Sequence, residues 1–219
     1  MKKLETKPAI EQKPDHEKKE RVKFILGDLG LKWDDLRGKR VLDIGSGLAQ
    51  LARVANREGI SIISSDPYLW GHEKEVSKEG LKKLTEGVPF VKASADLLPF
   101  PSETFDVATS HAAPPLVGVN TEADVGLVID EVYRVLKNGG EFRFGPGYLP
   151  TYVFDKEIFT SEEGDTFTAE QRKVRIADKT LELFKNISPH ITRHKIESEI
   201  DRNFGRLYYY ILHKPYDNK

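Results

Sequence analysis

The sequence predicts an α/β domain with a doubly wound, mostly parallel sheet, helices on both faces and an N-terminal helical cap. The main observation lies at residues 40–55, where an apolar strand pattern, a turn with two glycines and a helical pattern follow one another. Strand and helix patterns then alternate as far as residue 147, which is typical of parallel sheets with crossover helices. Two further strand patterns, at 191–200 and 206–212, follow a helical pattern towards the C-terminus.

Length and composition limit the classes of function. The chain has 219 residues, enough for one domain with a substantial core. Lys and Arg number 34 against 35 acidic residues, so we expect no nucleic-acid partner and no attraction to an anionic membrane. The absence of cysteine excludes disulfides and thiolate metal sites, and we expect no metal. No apolar run is long enough to span a bilayer, and the Lys-rich N-terminus lacks the apolar core of a signal peptide, so we expect a cytoplasmic protein.

The chain divides into a tail and one domain. Residues 1–16, dominated by Lys and Glu, are predicted to be a flexible charged tail, or alternatively a lid that orders over a bound substrate. Residues 17–219 are predicted to form a single domain. Within it we place a helical cap at 17–35, a cofactor-binding core at 36–147 and a C-terminal segment at 148–219 that supplies substrate-side residues and a closing hairpin.

The turn after the first strand has the chemistry of a nucleotide-type pocket. Gly45 and Gly47 let the backbone turn sharply and approach a ligand, while the following helix offers N–H groups at its N-terminus. Asp43 stands two residues before the first glycine. A dinucleotide-binding turn needs a small residue at position 50, but Gln50 is long and polar, and the small residue, Ala49, comes one place early. The turn by itself does not show which nucleotide binds.

Two acidic residues follow later strands of the predicted sheet. Asp66 follows the strand at 61–65, so its carboxylate is expected to point into the crevice above the sheet and accept both hydroxyls of a ribose. The alternative is that Asp66 and Pro67 only mark a turn. Asp96 follows a third strand at 88–93, where its carboxylate can accept a hydrogen bond from an exocyclic amine.

Two longer stretches add more specific patterns. Residues 96–107 read Asp-Leu-Leu-Pro-Phe-Pro-Ser-Glu-Thr-Phe-Asp-Val, a proline-bounded connector that leads into a central strand. Residues 131–140 read Glu-Val-Tyr-Arg-Val-Leu-Lys-Asn-Gly-Gly. We predict a helix with Lys137 in its last turn that is ended by Gly139 and Gly140, before a strand at 141–144.

Together with the Asp-x-Gly-x-Gly turn, these stretches resemble the class I, Rossmann-like S-adenosylmethionine-dependent methyltransferases of the small-molecule type, over about residues 36–147. The resemblance implies a seven-stranded sheet with an antiparallel last strand. It also implies an enzyme (EC 2.1.1.-) that transfers a methyl group from S-adenosylmethionine to a small-molecule nucleophile and releases S-adenosylhomocysteine. The cofactor-binding residues that it implies are Asp43, Gly45, Ser46 and Gly47 on the methionine side, Asp66 with Pro67 at the ribose, Ala95, Asp96 and Leu97 at the edge of the adenine, and Ser110 on the sulfonium side. Tyr68 is expected to offer its ring face to the adenine, or alternatively to be a partly buried surface aromatic.

Residues for the acceptor side follow the fourth and fifth strands. His111 is the candidate catalytic base, because an imidazole exchanges protons near neutral pH; the alternative is a histidine that bonds to backbone at the start of a loop. Tyr148 and Tyr152 are candidate substrate-binding residues, or a hydrophobic cover over the core. Residues 113–116, Ala-Pro-Pro-Leu, lack the polar and aromatic residues with which a similar motif holds planar amines, so we do not expect that acceptor.

Two rival hypotheses come from other functional classes. One is a catalytically silent S-adenosylmethionine-binding partner or scaffold, for which Ala49 and the unusual loop at 112–115 are the support. The other is a nicotinamide-dependent oxidoreductase, against which Gln50 and the stretch 96–107 both argue.

Overall fold

A computed structural model of the protein describes residues 15–67, 87–147, 149, 169–196 and 208–216. The strands within these ranges form a seven-stranded sheet of order β3-β2-β1-β4-β5-β7-β6. In chain order the elements are α1 (Asp15–Asp28), α2 (Trp33–Leu36), β1 (Arg40–Ile44), α3 (Gln50–Arg57), β2 (Ser61–Ser65), β3 (Phe90–Val91), β4 (Phe105–His111), α4 (Glu122–Val135), β5 (Leu136–Gly145), α5 (Ala169–Ile187), β6 (Ile191–Lys195) and β7 (Tyr208–His213).

The sheet is parallel from β3 to β5 and antiparallel at β7. Strand β1 pairs in parallel with β2 and with β4, and β4 pairs in parallel with β5. Strand β7 runs antiparallel between β5 and β6. The predicted sheet, with its antiparallel last strand, is confirmed. Chain order reverses at β1, and open α/β sheets bind ligands above the carboxyl ends of their strands at such a point.

Helices cover both faces of the sheet, as predicted. Successive side chains of a strand point to opposite faces, so Val41 of β1 packs in the cluster with α1 and α3, while Leu42 packs in the cluster with α4 and α5. Each fully buried aliphatic side chain contributes about 1.5–3 kcal/mol to stability, and β1 alone has three of them, Val41, Leu42 and Ile44. None of the described helices is long and apolar enough to cross a bilayer.

Helices α1 and α2 form the predicted N-terminal cap. Val22, Leu26 and Leu29 are buried on α1 or directly after it, and Leu36 is buried at the end of α2. These side chains pack in the same cluster as α3 and β1, so the cap is fixed to the core beside the first strand. Residues 1–14 of the predicted tail lie outside the described residues, and α1 begins at Asp15, two residues before the predicted start of the domain.

One predicted boundary is wrong: the glycine pair does not end α4. The helix ends at Val135, Leu136 already has extended backbone, and Lys137 lies on β5. The pairing of β4 with β5 shifts between Phe105 and Val107, which pair with Leu136 and Glu141 respectively, so β5 carries extra residues there. The two glycines allow this bulge and do not end a helix. Gly139 has a φ of 79°, and a Cβ at Gly140 would lie 2.8 Å from a backbone oxygen.

Helix α3 begins at a residue with a strained backbone. Ala49, its N-cap, has left-handed backbone (φ 53°, ψ 40°) and a fully buried methyl group. We expect Ala49→Gly to destabilise the protein by about 2 kcal/mol less than Ala52→Gly, because only the first change relieves left-handed strain while the second also lowers helix propensity. Both variants remove one buried methyl group, and urea unfolding compares them. A difference of about 1 kcal/mol or less, which helix propensity alone explains, would show that Ala49 is unstrained.

Candidate functional site

The predicted site residues of three adjacent strands meet at one edge of the sheet. Asp43 is the penultimate residue of β1, Asp66 directly follows β2, and Ser110 and His111 end β4. Asp43 is in register with Thr109 on β4, so the acids and the end of β4 lie side by side. The structure thus brings together residues that are up to 68 positions apart because the carboxyl ends of neighbouring parallel strands share an edge.

Backbone hydrogen bonds tie the glycine turn to the end of β2. Ser46 N donates to Ser65 O at 3.1 Å, and Gly47 N donates to Asp66 Oδ2 at 2.9 Å. Gly45 and Gly47 have φ values of 64° and 52°, the left-handed conformation that glycine adopts without strain. Asp66 therefore has a structural role in shaping the turn, which the sequence did not reveal.

A loop after β4 closes over the first glycine of the turn. Ser110 Oγ donates to Pro114 O at 2.6 Å, and Ala112 N donates to Gly145 O at 2.7 Å, which fasten the loop to β4 and β5. A Cβ added to Gly45 would overlap the Cβ of Ala113. The loop and the turn are therefore in direct contact, and only glycine fits at position 45.

We expect Gly45→Ala to destabilise the protein by about 3 kcal/mol, because it combines an overlap in a packed contact with left-handed backbone strain. Gly47→Ala is the matched control: its φ is also positive, but a Cβ there meets nothing within 4 Å. That variant should lose only about 1 kcal/mol. Thermal and urea unfolding measure both changes, and similar losses would show that the Ala113 contact is soft.

Asp43 is a buried carboxyl group with an unusual pKa. Its side chain accepts a hydrogen bond from Thr109 Oγ1 at 3.2 Å and is only 5% exposed. Burial raises the pKa of Asp43 from 3.8 to about 7; the Thr109 hydrogen bond lowers it, and the nearby charge of Asp66 raises it further. A cation bound beside Asp43 would favour its charged form.

Two hydroxyl groups at the turn lack partners within the described part of the chain. Ser46 Oγ and Ser65 Oγ are both buried and make no hydrogen bond there. Ala49, the N-cap of α3, has no side chain that could cap the helix. Buried polar groups in folded proteins are normally paired, so the site suits a ligand that carries its own polar groups. With Asp43 and Asp66, this set fits a ligand with hydroxyl groups and positive charge.

His111 is paired with a residue that the sequence did not reveal. Its Nε2 lies 2.7 Å from Oδ2 of Asp28, the last residue of α1. The Asp28 side chain is fully buried, and that of His111 is 15% exposed. The imidazole therefore contacts a carboxylate on the helical cap. The alternative considered from the sequence was a hydrogen bond to backbone at the start of a loop.

The predicted adenine edge is a tight turn after β3. Leu97 N donates to Ser94 O at 3.2 Å; Ala95 is buried, whereas Asp96 and Leu97 are exposed. Helix α4 fixes the following connector, because Glu131 accepts a hydrogen bond from Leu98 N at 2.7 Å. Arg134 pairs with Glu131 and donates to backbone oxygens of the same connector.

Three predicted site residues, Tyr68, Tyr148 and Tyr152, lie outside the described residues. Pro67 is described, directly after Asp66 and half-buried. A cavity of about 450 Å³ lies where β1, β4 and β5 begin, between Lys39, Asp106 and Tyr216 among others. It is at the opposite edge of the sheet from the residues discussed above, and none of the site residues that the structure describes lines it.

Comparisons with known proteins agree with the geometry. The family described as "Methyltransferase domain" matches residues 42–144, just under half of the chain. The chain is 30% identical over 187 residues to the ubiquinone/menaquinone biosynthesis C-methyltransferase UbiE of Xanthomonas oryzae pv. oryzae, a match that covers 78% of this chain and 68% of that protein. It is 33% identical over 129 residues to the uncharacterized methyltransferase YcgJ of Bacillus subtilis, covering 56% of this chain and 47% of that protein.

Among solved structures, a putative S-adenosyl-L-methionine-dependent methyltransferase from Methanococcus maripaludis has a similar fold. The TM-score is 0.52 at 16% identity, and the match covers 98% of this chain and 99% of that one. At this identity the likeness concerns the fold alone.

Proposed function

This chain belongs to the class I S-adenosylmethionine-dependent methyltransferases, and we propose that it methylates a small hydroxylated ring compound. It is accordingly an enzyme of class EC 2.1.1.-, with S-adenosylmethionine as cofactor. Its relatives include C-methyltransferases of ubiquinone/menaquinone biosynthesis and, in Xenopus laevis, a 2-methoxy-6-polyprenyl-1,4-benzoquinol methylase. These names support an electron-rich ring with hydroxyl groups as the acceptor.

The residues at the turn fit the cofactor. When bound, S-adenosylmethionine supplies an electrophilic methyl group, whose bond to sulfur breaks as the acceptor nucleophile bonds to carbon and sulfur keeps the electron pair. We propose that Asp66 accepts the ribose hydroxyls while it holds the turn, and that Asp43 lies near the cationic methionine end. The unpaired hydroxyls of Ser46 and Ser65 then gain polar partners.

The main support for the proposed acceptor class is the apolar surface of the loop over Gly45. Its side chains from residue 112 to 117 are all apolar, and Ala112 and Val117 are exposed. Such a wall offers no hydrogen bond to a planar amine but suits an apolar ring, and His111 beside it provides a base for a ring hydroxyl. Holding the ring in line with the methyl group would supply much of the rate.

An acceptor screen tests this proposal. Purified protein is incubated with methyl-labelled S-adenosylmethionine and parallel panels of phenols and quinols, of aliphatic and aromatic amines, and of transfer RNA. We expect label in the hydroxylated rings. Label only in amines or in RNA would contradict the proposed acceptor class while leaving the enzyme class intact.

The rival hypotheses make different predictions. A catalytically silent scaffold would bind S-adenosylmethionine without transferring its methyl group to any panel member, so any specific transfer removes that hypothesis. A nicotinamide-dependent oxidoreductase is not supported, since the chain belongs to a methyltransferase family. We also propose, from the balanced charge in the sequence, that the enzyme has no nucleic-acid partner.

A further inference from the structure

Asp28 reaches the end of β4 from a helix that precedes the cofactor-binding core. It is the last residue of α1, and Val22 and Leu26 of the same helix are buried against α3 and β1. This packing fixes the helix and with it the carboxylate, whose Oδ2 lies 2.7 Å from Nε2 of His111. The contact lies in the protein interior, because the Asp28 side chain is fully buried and the His111 side chain is only 15% exposed.

The chemistry of the two groups dictates where the proton lies. A carboxylate only accepts hydrogen bonds, so a contact of this length requires a proton on His111 Nε2. In a neutral imidazole the other nitrogen, Nδ1, then carries the lone pair. Water cannot compete for this contact at a fully buried carboxylate, and charge-assisted hydrogen bonds are about twice as strong as neutral ones.

We propose that Asp28 is a positioning residue: it holds His111 as the Nε2–H tautomer, so that Nδ1 is the base that takes the acceptor's proton. This rests on the proposed function, in which the acceptor carries a hydroxyl group. The acceptor O–H bond breaks, the proton goes to Nδ1, and the electron pair stays on the acceptor as the nucleophile. The imidazolium that forms is then stabilised by the adjacent Asp28 carboxylate.

The first test needs neither cofactor nor acceptor. Long-range ¹H–¹⁵N NMR of the cofactor-free protein reports which ring nitrogen of each histidine carries the proton, and His111→Gln assigns the His111 signals by their loss. We expect the Nε2–H tautomer in the wild type. We expect Asp28→Asn to convert His111 to a mixture or to the Nδ1–H tautomer, because a carboxamide can donate as well as accept.

Kinetics with a hydroxylated acceptor give the second test. Removal of a general base costs about 10²–10⁴-fold in rate, so we expect His111→Gln to lower kcat within that range. Asp28→Asn should lower kcat by about 10–100-fold, since the base is present but mispositioned, while the affinity for S-adenosylhomocysteine stays at the wild-type value. Asp34→Asn is the matched control: Asp34 is an exposed carboxylate of the same cap, paired with Arg37, and kcat should be unchanged.

Either of two results would overturn the role of Asp28: the Nδ1–H tautomer in the wild type, or a wild-type kcat in a folded Asp28→Asn variant. If Asp28→Asn fails to fold, the wild-type tautomer alone still decides. A wild type with the Nε2–H tautomer that methylates none of the hydroxylated rings would contradict the proposed acceptor, while the tautomer itself supports the positioning of His111 by Asp28.

Discussion

The free energy of unfolding of the cofactor-free protein is expected to fall by up to about 4 kcal/mol as the pH rises from about 4 to about 7, because the Asp43 carboxyl is buried. Its pKa is about 7 in the folded protein, against an ordinary value of 3.8. Between these two values the folded state binds more protons than the unfolded state, so unfolding releases a proton and stability falls as the pH rises. Urea unfolding across this pH range measures the slope.

Asp43→Asn is the control, because asparagine keeps the shape of the acid and has no charge to bury. The difference in unfolding free energy between variant and wild type isolates Asp43 from other groups. Burial raises the pKa values of Asp106 and Glu131, but hydrogen bonds from Lys137 and Arg134 outweigh it and lower them, so these two acids change the stability mainly at the acidic end of this range. We expect the variant to be the more stable protein at neutral pH. A pH profile that parallels the wild type would show that Asp43 is ionised throughout.

Cofactor binding should oppose this effect. A cation beside Asp43 favours the ionised carboxylate, so S-adenosylmethionine is expected to bind more tightly as the pH rises through about 7. Calorimetric titration of wild type and Asp43→Asn on either side of neutrality measures the change. The dependence should be absent in the variant, and the buried acid would then be a group that lowers the stability of the free protein in favour of cofactor binding.

Replacing Asp66 with Ala is expected to weaken S-adenosylmethionine binding by about 10²–10⁴-fold. Hydrogen bonds to a charged group contribute about 1.5–3 kcal/mol each, and the proposed role of Asp66 involves both ribose hydroxyls. The variant also removes the acceptor of Gly47 N–H, which loosens the turn. Calorimetry with S-adenosylmethionine and S-adenosylhomocysteine measures the affinity, and thermal unfolding measures how much stability the turn loses.

Asp66→Asn separates the two roles of this carboxylate. The asparagine side-chain oxygen still accepts from Gly47 N–H, so the stability of the turn is kept, but the charge is lost. We expect an affinity loss of about 10-fold with little change in unfolding. Asp96→Ala, at the predicted adenine edge, should weaken cofactor binding less than Asp66→Ala, because Asp96 is exposed. Unchanged cofactor affinity in Asp66→Ala would remove the ribose role.

Short-range sequence patterns predicted most of the fold and much of the candidate site. Apolar strands, helical spacing and the Gly45–Gly47 turn are short-range features, so they were enough to predict the parallel sheet and the helices on both faces, whereas the antiparallel last strand was implied by the family resemblance. It also placed Asp43, Asp66, Ser110 and His111 at the ends of strands, and parallel pairing then brings such ends to a common edge.

Contacts between distant segments were decided only in three dimensions. Asp28 and His111 are 83 residues apart, and no pattern in either segment indicates the other. The overlap of Ala113 with any side chain at position 45 depends on how the loop after β4 is held by its hydrogen bonds. The bulge at Gly139 and Gly140 exists only because β5 pairs with β4. A sequence pattern reports what a residue prefers by itself, whereas register, loop closure and the partner of a buried charge depend on which surfaces meet in the folded chain.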